Sequence, residues 1–395
     1  MTLVKEETFQ QQLVAIRRHL HTHPELSYEE VETTASIRTW LTDAEIRIAN
    51  YPLRTGVVAE VGGINGGPVI AIRADIDALP IHEETGLPFA SRFPGKMHAC
   101  GHDFHTAAIL GTAFLLKEKE KELLGTVRFI FQPAEEKAKG ALQIIASGAL
   151  EDVEAIFGMH NKPDLPVGTV GIKSGAIMAA ADGFIVEVEG RGSHAAVPEA
   201  GIDPIVISAH IVTALQSIVS RNVSALESAV VSVTRLNSGT AWNVIPEKAL
   251  FDGTLRTFDE RVRSRVRQRF EKIVHSVADA FEAKAKVSWI EGPHPVVNDS
   301  EWAALASRTA ESVGLRVIEP LPSPAGEDFA FYLKKTPGLF VFFGTEGTKE
   351  WHHPAFDVDE RALSLSASFF AALALDALKR LISKSQPIAK AGDEQ

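Results

Sequence analysis

Thr126-Val127-Arg128-Phe129-Ile130-Phe131-Gln132-Pro133-Ala134-Glu135-Glu136 is an apolar run that stops at a proline and two carboxylates. Its β-branched and aromatic residues read as a strand buried on both faces. Pro133 cannot continue a ladder of hydrogen bonds, so the strand ends there. The same pattern occurs twice more. Residues 69–73 (Val-Ile-Ala-Ile-Arg) run into Ala74-Asp75-Ile76-Asp77-Ala78-Leu79-Pro80, and residues 155–159 end at His160-Asn161. Helical stretches at 105–119 and 138–146 separate these strands, the second closed by Gly148. Apolar strands alternating with helices predict an α/β fold: a mixed sheet flanked by helices. Ligand-type side chains just past the carboxyl ends of strands lie where open α/β sheets build their sites.

Working outward, residues 6–23 form an amphipathic helix ended by Pro24, with Phe9, Leu13, Ile16 and Leu20 on one face. Ser27-Tyr28-Glu29-Glu30 reads as a capping box that opens a helix to about residue 42. A strand at 56–62 followed by Ile64-Asn65-Gly66-Gly67 predicts a hairpin into the strand at 69–73. After residue 177 the pattern changes. Strands at 184–189, 229–236, 248–256 and 285–290 alternate with helices at 203–222 and 259–283. This β-α-β-β-α-β order predicts a ferredoxin-like α+β unit inserted into the first domain. Pro293 and Pro295 mark the return, followed by a helix at 300–313, a strand at 339–344 and a helix at 364–381. The expected layout is a first domain at 1–177 and 293–382, a second domain inserted at 178–292, and a polar, disordered tail at 383–395.

The 395 residues, 45% of them hydrophobic and 23% charged, fit a soluble globular protein of two domains. A net charge of −11 disfavours nucleic acid and anionic membrane surfaces as partners. One cysteine excludes an intrachain disulfide and suits a reducing compartment, so a cytoplasmic location is expected. The first residues lack the apolar core of a secretion signal, and no uninterrupted apolar run is long enough to span a bilayer.

That cysteine lies in Met97-His98-Ala99-Cys100-Gly101-His102-Asp103. A thiolate and an imidazole two residues apart are good ligands for a borderline-soft divalent cation. On its own, a buried core cysteine beside loop histidines is the plainer reading. Glu136, His160 and the pair His352-His353 supply further ligands from separate loops, about what a two-metal site with one bridging group requires. Adjacent carboxylates at Glu135-Glu136 repel each other unless cations are present. They also point in different directions, so one can hold metal while its neighbour handles a proton. The alternative is an acidic helix start favoured by the helix dipole. Glu327 and Asp328 could line the cleft or cap the next helix, and they are read as capping residues because acidic residues at a helix start are ordinary. Met178 and residues 179–181 shape either a pocket or a hinge.

The motifs RADIDALP (73–80), MHACGHD (97–103), QPAEE (132–136), MHN (159–161), GRGSHAAVPEAGIDP (190–204), WNVIPE (242–247), GTLRTF (253–258), GEDFAFY (326–332) and HHPAFDVDE (352–360) occur in this order. Together they resemble the co-catalytic metallo-amidohydrolases of the aminoacylase, hippurate hydrolase and indole-acetyl-amino-acid hydrolase group, relatives of the glutamate carboxypeptidases. The resemblance implies a zinc-exopeptidase-like catalytic domain with a ferredoxin-like lid, and two divalent ions per subunit. Mn²⁺ or Zn²⁺ is expected, with Co²⁺ or Ni²⁺ as further candidates. It implies Cys100, His102, Glu136, His160 and His352 as ligands, with Cys100 bridging, and Glu135 as general acid and base. His194 would stabilise the oxyanion, Asn243 and Arg256 would contact substrate, and Asp77 would orient a ligand histidine. His353 is a rival to His352, because two histidines precede Pro354.

The reaction implied is hydrolysis of an N-acyl amino acid to a carboxylic acid and a free amino acid, with lid motion bringing His194 to the metals. Dipeptidase or N-acetyl-diamino-acid deacetylase activity would use the same residues. A non-catalytic metal-containing binding protein is the reading from another class, and it would have no use for Glu135. The resemblance also suggests a homodimer or higher oligomer formed through the lid.

Overall fold

The computed structural model describes residues 3–64 and 66–385, which divide into two compact units. The first comprises the chain up to Gly175, Val297–Leu321 and the chain from Phe331 onward. The second comprises Ala176–Val296 and Pro322–Ala330.

In the first unit, eight strands form one mixed sheet in the order Arg47–Ala49, Val57–Gly62, Thr126–Gln132, Val69–Asp75, Val153–Lys162, Gly338–Gly344, Thr169–Gly171, Arg316–Ile318. Its four central strands are mutually parallel. Thr126–Gln132 and Gly338–Gly344 are buried along their whole length, as their β-branched and aromatic residues predict, and the one charge among them, Arg128, is paired with Glu60. The expected hairpin at residues 64–67 does not form, although Asn65 itself lies outside the described residues. Val57–Gly62 and Val69–Asp75 both pair with Thr126–Gln132, which lies between them. A turn signal reports only that the chain reverses. It carries no information about a later strand entering between the two arms.

The helix His102–Glu118 packs between the first helix, Leu3–Thr22, and the long helix Ala362–Ser385. Gly111 permits that approach: a Cβ there would lie 2.9 Å from both Leu13 methyls and 3.0 Å from Ala367 Cβ. The helix Ala362–Ser385 includes Ser383 and Lys384, which were expected to begin a disordered tail; residues 386–395 of that tail lie outside the described residues. Two helices, Pro204–Asn222 and Ala362–Lys384, have the length and composition of membrane spans. The second has 61% of its most apolar window buried within the molecule, as a core helix does.

Charged groups also fasten the first helix. Arg17 and His21, both essentially inaccessible, reach Asp103 at 3.1 and 2.8 Å, and the other ring nitrogen of His21 meets Glu83 at 3.1 Å. Burial opposes charge on His21, but Asp103 and Glu83 outweigh it and raise its pKa to about 9. The protonated ring therefore stabilises the fold fully below the unfolded value near 6.5, and that contribution drains away as pH rises through about 9. Asp103 shifts the opposite way and stays ionised throughout this window. Urea unfolding at pH 6 and pH 9.5 should show a loss of about 3 kcal/mol in the wild type relative to His21→Asn. Equal slopes for the two proteins would mean that His21 is neutral in the folded state.

In the second unit, four antiparallel strands lie in the order Ala229–Ser238, Lys248–Thr257, Ala180–Glu189, Lys284–Ile290. The helices Pro204–Ser217 and Glu260–Ala280 cover the sheet with a separate apolar core that includes Phe184, Phe251 and Phe270. Asp203 and Asp259 cap these helices by accepting backbone N–H bonds from their first turns. Numbered along the chain, the strand order is 2-3-1-4, which is the ferredoxin-like arrangement.

Candidate metal centre

Two strand ends and two loops of the first unit converge. Gln132 ends one strand, after which Ala134, with φ 54°, turns the chain into a single 3-10 turn, Glu135–Lys137. His160 lies near the end of Val153–Lys162, still within the strand and not beyond it. Cys100 precedes the helix that starts at His102, across Gly101 at φ 86°. His352 is held at φ 65°, with its backbone N–H donated to the Ala99 carbonyl at 2.8 Å.

Several sets of ligand atoms lie within 4.8 Å of one another among the described residues, and three of them hold the ligand candidates: Cys100, His102 and His160; Cys100, Glu136 and His352; and His102, Glu135 and Glu136. Cys100 belongs to two of these sets, and all five ligand candidates fall within this one cluster. His352, not His353, is the member of the pair in it. His353 instead accepts the Ala355 N–H at 2.9 Å through Nδ1.

The imidazoles are presented in one way. His102 Nδ1 lies 2.8 Å from the Asp77 carbonyl and 3.3 Å from its carboxylate, and His160 Nδ1 lies 2.9 Å from the Asn161 carbonyl. Donating Nδ1–H to these oxygens turns each Nε2 lone pair inward, the arrangement of metal-ligating histidines. His102 Nε2 and Glu136 Oε1 are buried and make no hydrogen bond. Buried polar atoms ordinarily have partners, so this pair fits a cation. The electrostatics agree. Burial opposes charge on His102, yet Asp75, Asp77 and Glu136 raise its pKa to about 10. Burial also raises Glu136, against the pull of His102, to about 7. The carboxylates of Asp75, Asp77 and Glu136, which favour positive charge at His102, would favour a cation beside it too, while burial keeps His160 and His352 neutral. One thiolate, one carboxylate and three imidazoles are a donor set for Zn²⁺, Mn²⁺, Co²⁺ or Ni²⁺.

A second layer supports the first. Asp77 accepts the Glu135 and Glu136 N–H groups, each at 3.1 Å, and the Ser27 hydroxyl at 2.6 Å. Asn161 donates to the Cys100 carbonyl at 2.6 Å, and its backbone N–H meets His105 Nε2 at 2.9 Å. His105 Nδ1 in turn bonds Asp75 at 2.6 Å, and Asp75 pairs with the buried Arg73. Asp75, His105 and Asn161 did not stand out in the sequence. The signal was present, since each lies within a quoted motif or two residues beyond one, but nothing local separates a supporting histidine from a ligand.

His194, Asn243 and Arg256 belong to the second unit. The short strands Ser193–His194 and Val244–Ile245 pair, and Ala195 N–H bonds the Asn243 carbonyl at 3.0 Å, so His194 and Asn243 share one surface. His194 Nδ1 accepts the Ala196 N–H at 3.0 Å, which leaves the proton on Nε2. Arg256 lies on Lys248–Thr257, bonded to the Thr254 hydroxyl and the Leu255 carbonyl. Among the described residues it makes no ion pair, and burial lowers its pKa. Glu327 accepts the Phe329 N–H at 2.9 Å.

The family model described as "Peptidase family M20/M25/M40" matches residues 71–376. N-acetyl-L-cysteine deacetylase of Bacillus subtilis (strain 168) is 52% identical over 383 residues, covering 97% of this chain and 91% of its own length. IAA-amino acid hydrolase ILR1-like 5 of Arabidopsis thaliana is 38% identical over 398 residues, covering 98% and 91%. The crystal structure of the Bacillus subtilis YXEP protein, described as a dinuclear metal binding peptidase from the M20 family, superposes with a TM-score of 0.87 at 49% identity. That match covers 94% of this chain and 99% of the solved one.

Proposed function

The chain belongs to peptidase family M20/M25/M40, and from that premise we propose that it hydrolyses the amide bond of N-acyl amino acids, with short acyl groups such as acetyl preferred. The observation that carries this reading is the gathering of Cys100, His102, Glu136, His160 and His352 into one cluster with Glu135 beside them. The 52%-identical deacetylase acts on N-acetyl-L-cysteine, which makes that compound the first substrate to try.

Two divalent ions held by those five side chains would acidify water and polarise the amide carbonyl. Glu135 takes the proton of the attacking water and delivers it to the leaving nitrogen. His194, with its proton on Nε2, donates to the oxygen that gains charge. Arg256, half-buried and in no direct ion pair among the described residues, pairs with the substrate carboxylate, and Asn243 supplies a further polar contact. Asp77 fixes the backbone of both glutamates and holds His102. The second unit acts as the lid. Its outer strand Ala229–Ser238, with Val230 and Leu236 exposed, serves as a homodimer edge. A reduced Cys100 suits the cytoplasm.

Metal analysis combined with a hydrolysis screen of N-acetyl, N-benzoyl and indole-acetyl amino acids tests the reading. Activity on N-acetyl amino acids should disappear on chelation and return with one of Mn²⁺, Zn²⁺, Co²⁺ or Ni²⁺. A fully metal-loaded protein that is inactive on the whole panel would instead be a binding protein. Turnover of dipeptides or N-acetyl-diamino acids above all others would move the substrate within the same chemistry.

A further inference from the structure

The turn that carries Glu135 and Glu136 is bracketed by two alanines in the left-handed region, Ala134 at φ 54° and Ala138 at φ 52°. Residues with a Cβ avoid this region, and they persist there only where their surroundings enforce it. Consecutive N–H groups show what does the enforcing. Asp77 accepts those of Glu135 and Glu136, one on each carboxylate oxygen. The preceding N–H, on Ala134 itself, is accepted by Glu30 Oε1 at 2.8 Å, across 104 positions of sequence. Glu30 is fully buried, and its other oxygen accepts the Thr55 hydroxyl at 3.0 Å.

The sequence around Glu30 had read as a capping box, but Glu30 makes no side-chain cap bond to its own helix, Val31–Asp43. Glu25 accepts the Glu32 and Thr33 N–H groups in its place. Tyr28, itself at φ 71°, lies in the turn that leads into Glu30. A carboxylate diverted from its own helix and buried against a strained backbone costs stability, which its bonds to the Ala134 N–H, the Thr55 hydroxyl and the backbone of Tyr28 and Glu30 itself offset.

We propose that Glu30 is a positioning residue. By holding Ala134 in its left-handed conformation it sets the direction in which Glu135 and Glu136 leave the backbone, so that one joins the ligand cluster while the other is placed to move protons. The division of labour between the two glutamates rests on the function proposed above. The control of their backbone does not.

The test uses the full chain carrying Glu30→Gln, Glu30→Ala or Glu30→Asp. Glutamine keeps an oxygen for Ala134 N–H, and kcat should stay within about fivefold of wild type. Alanine should lower kcat about 10²-fold, with KM within about threefold, as expected for a displaced reacting group. The visible absorption of the Co²⁺-loaded protein should shift for the alanine variant and not for glutamine, because Glu136 moves with the turn. Aspartate keeps the charge but is one methylene too short to span Ala134 and Thr55. It should fall about tenfold below glutamine, and it decides the matter if the alanine variant does not fold.

Wild-type kcat and Co²⁺ spectrum in the alanine variant would overturn the proposal. So would glutamine losing as much as alanine, or aspartate matching glutamine. If Glu135→Ala leaves turnover intact, the acid–base assignment fails, while the spectral shift still reports on Glu30.

Discussion

Glu135→Ala is expected to fold, to bind its full complement of metal and to lose about 10³–10⁴-fold in kcat, the upper range of what a positioned acid–base group contributes. Its backbone N–H is held by Asp77, and the backbone bond survives truncation of the side chain. The five ligand candidates are untouched. Amide hydrolysis needs a proton removed from water and another delivered to a poor leaving group, and a single carboxylate beside the cluster can do both in turn. The loss should therefore fall on kcat and not on KM. Elemental analysis with steady-state kinetics checks it. A variant within tenfold of wild type would mean that another group carries the proton.

Gly101→Ala is expected to be the most damaging small substitution near the site. At φ 86° an alanine incurs left-handed strain of about 1–2 kcal/mol. Its Cβ would also lie 2.3 Å from Asn161 Nδ2, the atom that bonds the Cys100 carbonyl. Moving Asn161 breaks that bond and disturbs the contact with His105, adding about 1–3 kcal/mol. Denaturation should show a loss of about 3 kcal/mol, and metal affinity should fall by about 10–100-fold, as when outer-layer support is removed. Unchanged metal binding would show that the Cys100 loop does not depend on this turn.

The ligand candidates were legible because their chemistry is uncommon. Cysteine, histidine and paired glutamates at strand ends have few ordinary reasons to be there. The core strands were legible because Gly338–Gly344 is apolar throughout and Thr126–Gln132 is rich in β-branched and aromatic residues, broken only by Arg128 between its polar ends. The edge strands Arg47–Ala49 and Arg316–Ile318 were not, since three half-exposed residues establish no period. Glu30 was misread for a related reason. Ser27 and Glu30 have the spacing of a local cap, and a sequence cannot distinguish a carboxylate that turns back on its own helix from one that reaches Ala134. The false hairpin at residues 64–67 arose in the same way, because long-range competition decides what short-range signals only permit.

The interrupted connectivity of the first unit bears on how the protein is made. Emerging from the ribosome, the chain presents Cys100, His102, Glu136 and His160 well before His352 and the helix Ala362–Ser385, and everything in the second unit up to Val296 comes between. The inserted unit has its own core and can finish folding during translation. The cluster cannot close until the later segment docks beside Leu3–Thr22 and His102–Glu118. If the five candidates hold the metal ions, nascent and truncated chains carry an incomplete ligand set until the segment with His352 is made.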